Sequence, residues 1–581
     1  MPPSRRHLAR LGLLAAAVLI GSWASILFIG PPPQSPPASI APPLPGMGGE
    51  GIPDKPVLTF DPPTTPAGAA AATDGTNRRA NQDSSGRDQN ETSITIDPTD
   101  PSNIIGGAND ARDGNWAAGV YVSHDGGQTF SDGLMPFRNY PNQGDPTLAF
   151  CGDGTALYGY LDYTGSFSPH RLIVSRSTDA GDTWAEPGVL HEGTLPFADK
   201  PYLACAGADG SSYANRAYIS WTHFTSVFSG MIRVAWSGDH GATWQNAQNI
   251  SGSGVQGSVP APGRDGRVYV FWKAGSRIEF ATSSNGGVSW SEAATVATID
   301  QISDTSFRRN SFPTAAVDTS DGPHAGNVYV AWSDDRDGDP DIYFTRSTDG
   351  GQNWEIPYRV NDDSVGNGRD QFFPWMAVDE KGRLHLMWHD RRHDAANDAF
   401  HIYIATSRDG GQSFDRNLPV SDKPSKGSLT GFLGDYAALA AGGEQIVPLW
   451  SDLRAGTGEE DVYIEVEPAF DYDIVADVLF DGDKQTLHFA DQEPRLGSAI
   501  VYDVVLGDVA DLAAADPWTA SQCIAEDLAG PPASVPDVPD PGRALYVLLR
   551  AQGPRGRGSF GSASAHPDTR DGLDETPPCG S

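Results

Sequence analysis

Three copies of a W-x-D-x-R pattern stand late in the chain: Trp332 to Arg336, Trp388 to Arg392 and Trp450 to Arg454, with Asp334, Asp390 and Asp452 at the centre. Asn109, Asp110 and Arg112 repeat the pattern without the tryptophan. A guanidinium donates two parallel hydrogen bonds, so Arg336, Arg392 and Arg454 could clamp the carboxylate of an anionic ligand. They could equally pair with the aspartate two residues earlier and pin a loop, and a device that recurs at equivalent positions suits that second role. Arg308, Arg309 and Arg369 stand outside the repeat, the last beside Asp370 and Gln371, and are candidate ligand contacts. Asp335, Asp337, Asp339 and Asp341 alternate as calcium ligands do, but no glutamate closes the loop twelve positions along. A solvated acidic loop is expected there, and neither a metal nor a cofactor is assigned.

Loops of this kind need a scaffold, and a second repeat supplies it. An eight-residue pattern, S-x-[DN]-x-G-x-[TSN]-[WF], begins at Ser123, Ser177, Ser237, Ser283, Ser347 and Ser407, at intervals of 54, 60, 46, 64 and 60 residues. Its third position holds Asp125, Asp179, Asp239, Asn285, Asp349 and Asp409. The side chain there accepts backbone N–H bonds across a hairpin turn, the glycine takes positive φ, and the aromatic packs beneath. These residues are expected to be structural. The period suits a four-stranded propeller blade with long loops. Two hydrophobic strands precede each turn, the first often opening on proline, as at Pro146, Pro201, Pro313 and Pro374. Glu91 opens the series, and Asp435 starts a last unit with no turn motif after it, which makes seven units.

The composition agrees with an all-β chain. The 581 residues include 66 Gly, 46 Pro, 14 Trp, 18 Tyr and 23 Phe, a mixture of turns and short aromatic strands. Against 75 Asp and Glu stand 40 Lys and Arg, a net charge of -35 that repels phosphate backbones and argues against nucleic acid as a partner.

The repeated turn resembles the Asp box of the sialidase (BNR repeat) superfamily of β-propellers, over roughly residues 85 to 468. The resemblance implies an all-β sialidase-like propeller; known sialidases have six blades, but the seven units favour seven. In that family three arginines hold the sugar carboxylate, and a tyrosine activated by a glutamate attacks while an aspartate serves as acid/base. The resemblance accordingly points to Tyr436 as nucleophile, Glu91 as its partner, and Asp145 or Asp199 as the acid. The family's F/Y-R-I-P arginine is missing: Gly144, Asp199, Ser258, Ser311 and Phe372 hold that position. The resemblance implies an exo-α-sialidase-type hydrolase acting on extracellular glycans, or else a non-catalytic propeller that binds glycans or protein at the cell surface, in either case a monomer.

Outside the propeller, Arg5, Arg6 and Arg10 precede an uncharged run from Leu11 to Gly30, long enough to cross a bilayer. Residues 1–30 read as a signal peptide or an uncleaved membrane anchor, so the rest of the chain is exported and meets the membrane only through that segment if it is kept. Residues 31–84, rich in Pro, Ala and Gly, read as a disordered linker. Residues 469–581 resemble a fibronectin type III-like β-sandwich. Outside the cytosol the four cysteines can pair: Cys523 with Cys579 in that module, and Cys151 with Cys205 between neighbouring inner strands.

Overall fold

A computed structural model describes residues 77–468, apart from the short stretches 166–168, 195–196, 209, 227–228, 246, 303–308, 427–431 and 455–459. Elsewhere it describes only strand segments, at 58–59 and between 479 and 557. Residues 1–30, most of the linker, Arg308, and the pairing of Cys523 with Cys579 lie outside the described residues. Within residues 469–581 the strands Gln522–Leu528, Val501–Asp508, Leu545–Gly553 and Gly556–Arg557 form one sheet in that order.

The chain from Asn77 to Pro468 is a seven-bladed β-propeller. Six blades are four-stranded antiparallel meanders, numbered here in chain order, with inner strands Gln89–Ile96, Asn142–Phe150, Phe197–Cys205, Val255–Pro262, Thr314–Val317 and Gln371–Val378. The seventh consists of Ala438–Gly442, Gln445–Asp452 and Asp461–Ile464, and Arg78–Arg79 supplies its outer strand by pairing with Ile464 and Tyr463. Six turn motifs in seven blades thereby find their reason. The motif joins third and fourth strands, and the seventh blade takes its fourth strand from the opposite end of the domain. The propeller consequently starts at Asn77, not at residue 85, and the end of the expected linker is a strand.

The core lies between blades. Each inner strand packs on the inner strands of both neighbours, and the last meets the first. One cluster joins Ile94, Ile104 and Tyr121 of blade 1 to Val447, Leu449 and Val462 of blade 7. Neighbouring inner strands are tied by hydroxyls: Ser93 Oγ accepts from Leu148 N at 3.0 Å, and Thr147 Oγ1 from Leu203 N at 2.8 Å.

The repeated turns fasten the rim. In the first, Asp125 Oδ1 accepts from Thr129 N at 2.9 Å and from Ser123 Oγ at 2.8 Å, while Ser123 Oγ accepts from Gly127 N at 2.8 Å. Each motif glycine lies against the preceding blade. A Cβ on Gly351 would meet Phe280 of blade 4 at 3.0 Å, and one on Gly127 would meet Val466 of the last blade at 2.6 Å. The turns therefore seal seams between blades as well as hairpins.

On the opposite face, here called the mouth, the W-x-D-x-R loops are spent on themselves. Arg392 Nε and Nη2 donate to Asp390 at 3.0 and 2.8 Å, Trp388 Nε1 donates to Asp390 at 2.7 Å, and the guanidinium stacks 4.2 Å from the Tyr403 ring centroid. Arg336 repeats this with Asp334, Trp332 and Tyr343, and Arg454 with Asp452, Trp450 and Tyr463. These three arginines pin loops, with their guanidinium groups engaged by aspartates.

Candidate functional site at the propeller mouth

Five inner strands are bulged where they begin. The register slips between Asn90 and Ser93, Gly144 and Thr147, Asp199 and Tyr202, Gln256 and Val259, and Phe372 and Trp375. Inside the slips Glu91, Asp145, Lys200, Gly257 and Phe373 take positive φ, between 49° and 69°. Such a bulge leaves one residue unpaired and re-aims its side chain. In a left-handed conformation a non-glycine residue costs of order 1 kcal/mol, so three charged residues held this way mark a place where strain is concentrated.

Those charged residues meet. Lys200 Nζ of blade 3 lies 3.0 Å from Asp199 Oδ2 and 2.8 Å from Asp435 Oδ2 of blade 7, with the ammonium and Asp435 both buried. Lys200 N donates to Asp145 Oδ2 at 2.9 Å, and Asp145 N donates to Asn109 Oδ1 at 2.8 Å. Asn109 Nδ2 donates to Glu91 Oε2 at 2.9 Å, and Asp435 N donates to Glu91 Oε1 at 3.2 Å. The Glu91 and Asp145 carboxyls are within hydrogen-bonding reach of each other. A Cβ at Gly434 would lie 2.9 Å from Glu91 Cγ, so only glycine lets blade 7 approach so closely.

Burial, then the neighbouring Asp199 charge, pushes the Asp145 carboxyl up from its ordinary value, which favours its protonated form. Tyr436 packs edge-on against Tyr202, 5.2 Å between centroids, and Tyr202 meets Trp375 at 5.1 Å. The Tyr436 hydroxyl is buried with no hydrogen-bond partner among the described residues, and burial followed by the Glu91 charge holds it well above its ordinary value. The aromatic trio plugs the axis. Beneath it lies a cavity of about 160 Å³ lined by Thr92, Ser93, Thr147, Tyr202 and Trp375 among others.

The structure thus brings Tyr436, Glu91, Asp145 and Asp199 into one cluster spanning blades 1, 2, 3 and 7. Of the other candidate ligand contacts, Arg309 and Arg369 have partners elsewhere. Arg309 is ion-paired with Asp370 with its side chain fully covered, and Arg391 Nη1 holds the same carboxylate at 3.1 Å. Arg309 is therefore a buried structural cation. Arg369 lies half-buried on a loop, where Nη1 donates to its neighbour's carbonyl, Gly368 O, at 3.1 Å. The acidic loop is likewise divided among partners: Asp337 accepts from the Tyr343 hydroxyl, Asp339 from Arg369 N, and Asp341 from Arg359 and Asn361. Lys200, the hub, was missed by sequence reasoning. The available signal was positional, since Asp145, Lys200 and Phe373 each precede the proline of an inner strand.

No protein-family model matches the chain, and no curated protein matches it. Solved structures with a similar arrangement include a Dyadobacter fermentans protein of unknown function, 15% identical with a TM-score of 0.39, covering 57% of this chain and 98% of that one. An α-L-arabinofuranosidase from Fusarium graminearum is 14% identical with a TM-score of 0.37, covering 57% and 94%. A sialidase from Streptococcus pneumoniae is 10% identical with a TM-score of 0.38, covering 68% and 71%. The likeness is one of fold alone, and no functional residue is carried over from it.

Proposed function

We propose that this chain is an exported glycoside hydrolase whose mouth accepts a neutral sugar in preference to an anionic one. The observation that carries the reading is the cluster of Glu91, Asp145, Asp199 and Tyr436 from four blades, in which burial favours the protonated form of Asp145. A carboxyl held protonated can give a proton to a leaving oxygen and take one back, as glycosidic cleavage requires. Glu91 is the base proposed for Tyr436; the hydroxyl makes no hydrogen bond among the described residues, so a proton passes between them only once a bound ligand closes that gap. The preference for a neutral sugar follows from the arginines. A carboxylate clamp needs several open guanidinium forks, and Arg309, Arg336, Arg391, Arg392 and Arg454 are engaged by aspartates, which leaves Arg369, bonded to the Gly368 carbonyl, as the one described candidate without an acidic partner. Sialic acid, the substrate implied by the Asp-box resemblance, is accordingly disfavoured.

Export, by a cleaved signal or an anchor within residues 1–30, is part of the proposal and fits the Cys151–Cys205 disulfide, with a Cα–Cα distance of 4.9 Å, since such bonds persist in oxidising compartments. So is the fibronectin-like module at residues 469–581. The test is product release from a panel of neutral glycosides and sialosides. Turnover of a neutral glycoside is expected, falling about 100-fold or more in Asp145→Asn and in Tyr436→Phe. No turnover on any substrate, or full activity in both variants, overturns it.

One observation favours a second reading, a non-catalytic propeller that binds glycans or protein. Lys200 already neutralises two of the carboxylates, Asp435 buried and Asp199 partly so. That reading predicts retention on a glycan array without product.

A further inference from the structure

We propose that the seam between blades 2 and 3 is a hinge, clasped covalently at the turn face by Cys151–Cys205 and released at the mouth face by acid. Cys151 follows the inner strand Asn142–Phe150 and Cys205 ends Phe197–Cys205, so the disulfide joins the two blades where their inner strands finish. At the opposite end three imidazoles stand in a row across the seam. His170 and His191 of blade 2 are 5.1 Å apart between ring centroids, and His191 and His223 of blade 3 are 5.3 Å apart. His170 and His223 are buried, beside the stacked rings of Phe197 and Phe224.

The row is built for neutral rings. His170 Nε2 lies 2.9 Å from Ala198 N in buried surroundings, and a backbone N–H can only donate, so this nitrogen must be an unprotonated acceptor. A proton on it turns an acceptor into a second donor and abolishes the bond that anchors the first turn of Phe197–Cys205, the strand carrying Asp199 and Lys200. Among the described residues the Gly193 backbone favours a proton on His170, but no carboxylate on the packed strands is left to pair with it. Of the charged groups on the packed strands, Arg171 is held by Asp162, Glu192 is exposed, Asp199 is held by Lys200, and Arg233 adds positive charge at His223.

Burial, then His191, pushes His170 down to about 4, and burial, then Arg233, does the same to His223. A histidine with a depressed folded pKa is protonated more readily once the seam opens. The closed seam is therefore favoured above the ordinary value near 6.5, and loses ground as pH falls from there toward 4.

Peptide-resolved hydrogen exchange on the full chain tests this. After correction for intrinsic exchange, protection in Phe197–Cys205 should fall about tenfold from pH 7 to pH 4.5, while Gln371–Val378 of blade 6 stays unchanged. His170→Gln, which keeps an acceptor for Ala198 N–H but takes no proton, should abolish the fall. An equal loss in both strands, or an undiminished loss in His170→Gln, overturns the proposal. If that variant fails to fold, reduced wild-type protein decides. Loss of protection should then spread along the strand to Cys205 at pH 4.5 and not at pH 7, and spreading at both pH values overturns the hinge.

Discussion

Lys200 carries more of the mouth than any other single residue. Its ammonium joins blade 3 to blade 7 across the axis, between blades that are not neighbours, and its backbone N–H reaches blade 2. Removing one partner of a buried ion pair strands the other charge and costs about 3–5 kcal/mol. Lys200→Met should therefore lower the unfolding free energy by that amount, read as a lower urea midpoint with an unchanged slope, because Asp199 and Asp435 are left facing each other. Asp435→Asn should cost less, since Lys200 keeps Asp199. Equal stability of Lys200→Met and wild type would mean that water already reaches the site. Tyr436, Glu91, Asp145 and Asp199 were legible in the sequence because each opens a repeat unit. Lys200 was not, because its partners come from distant units and one of them from the far side of the ring. The arginines were legible as motifs and ambiguous in role. Only the distances from Arg392 to Asp390 and from Arg309 to Asp370 decide that their charge is spent within the scaffold.

Elements are positioned by the repeated turns, and these tolerate change unequally. Gly411 has φ of 78°, and a Cβ there would lie 2.7 Å from Phe344 Cζ of the preceding blade. Gly411→Ala should cost about 2 kcal/mol, from strain and clash together, read by denaturant melting. No measurable loss would show that the seam has slack. At the third motif position the fourth turn supplies its own control: Asn285 Oδ1 accepts from Ser289 N at 3.0 Å as the aspartates do. The Asp349 carboxyl is held down to about 2, chiefly by the Asn353 side chain and backbone. A depressed carboxylate gives stability that is full above its unfolded value near 3.9 and is lost as pH falls through the folded value. Asp349→Asn should thus melt close to wild type at pH 7 and converge on it further near pH 2, whereas Asp349→Ala should melt lower at pH 7. If Asn and Ala variants melt alike at pH 7, the turn does not depend on the acceptor oxygen. The turn geometry was legible residue by residue, because it is local. The bulges at Glu91, Asp145 and Lys200 were not, because positive φ in a charged residue is imposed by packing across blades.

At the scale of the whole molecule, a closed ring must join its ends, and the joint is short. Arg78 and Arg79 pair with Ile464 and Tyr463, Ala80 N donates to Val462 O at 2.8 Å, and Asn77 Nδ2 donates to Val420 O and Glu465 Oε2 at 2.9 and 2.8 Å. Arg78 Nη1 also reaches Gly127 O of the blade 1 turn at 2.8 Å, so the strand bridges the two blades that close the ring. Composition conceals this joint, because the strand sits at the end of a Pro- and Ala-rich stretch and is too short to show periodicity. A chain shortened to begin at Gly75 keeps the joint and loses only the two-residue pairing of Leu58–Thr59 with Thr183–Trp184 among the described contacts, so it should melt close to the full-length protein. One shortened to begin at Ser85 loses at least these six contacts, at about 1 kcal/mol each, and should melt several degrees lower. It also bares the edge of Asp461–Ile464, so concentration-dependent association should appear on gel filtration. Salt adds a second readout. With a net charge of -35 on the chain, an opened ring relaxes its self-repulsion and a closed one cannot, so screening favours the full-length chain more and the gap in melting temperature should widen as ionic strength rises. If both chains melt together at every salt concentration, closure rests on the inner strands, where Ala438–Gly442 meets Gln89–Ile96, and the outer strand is decoration.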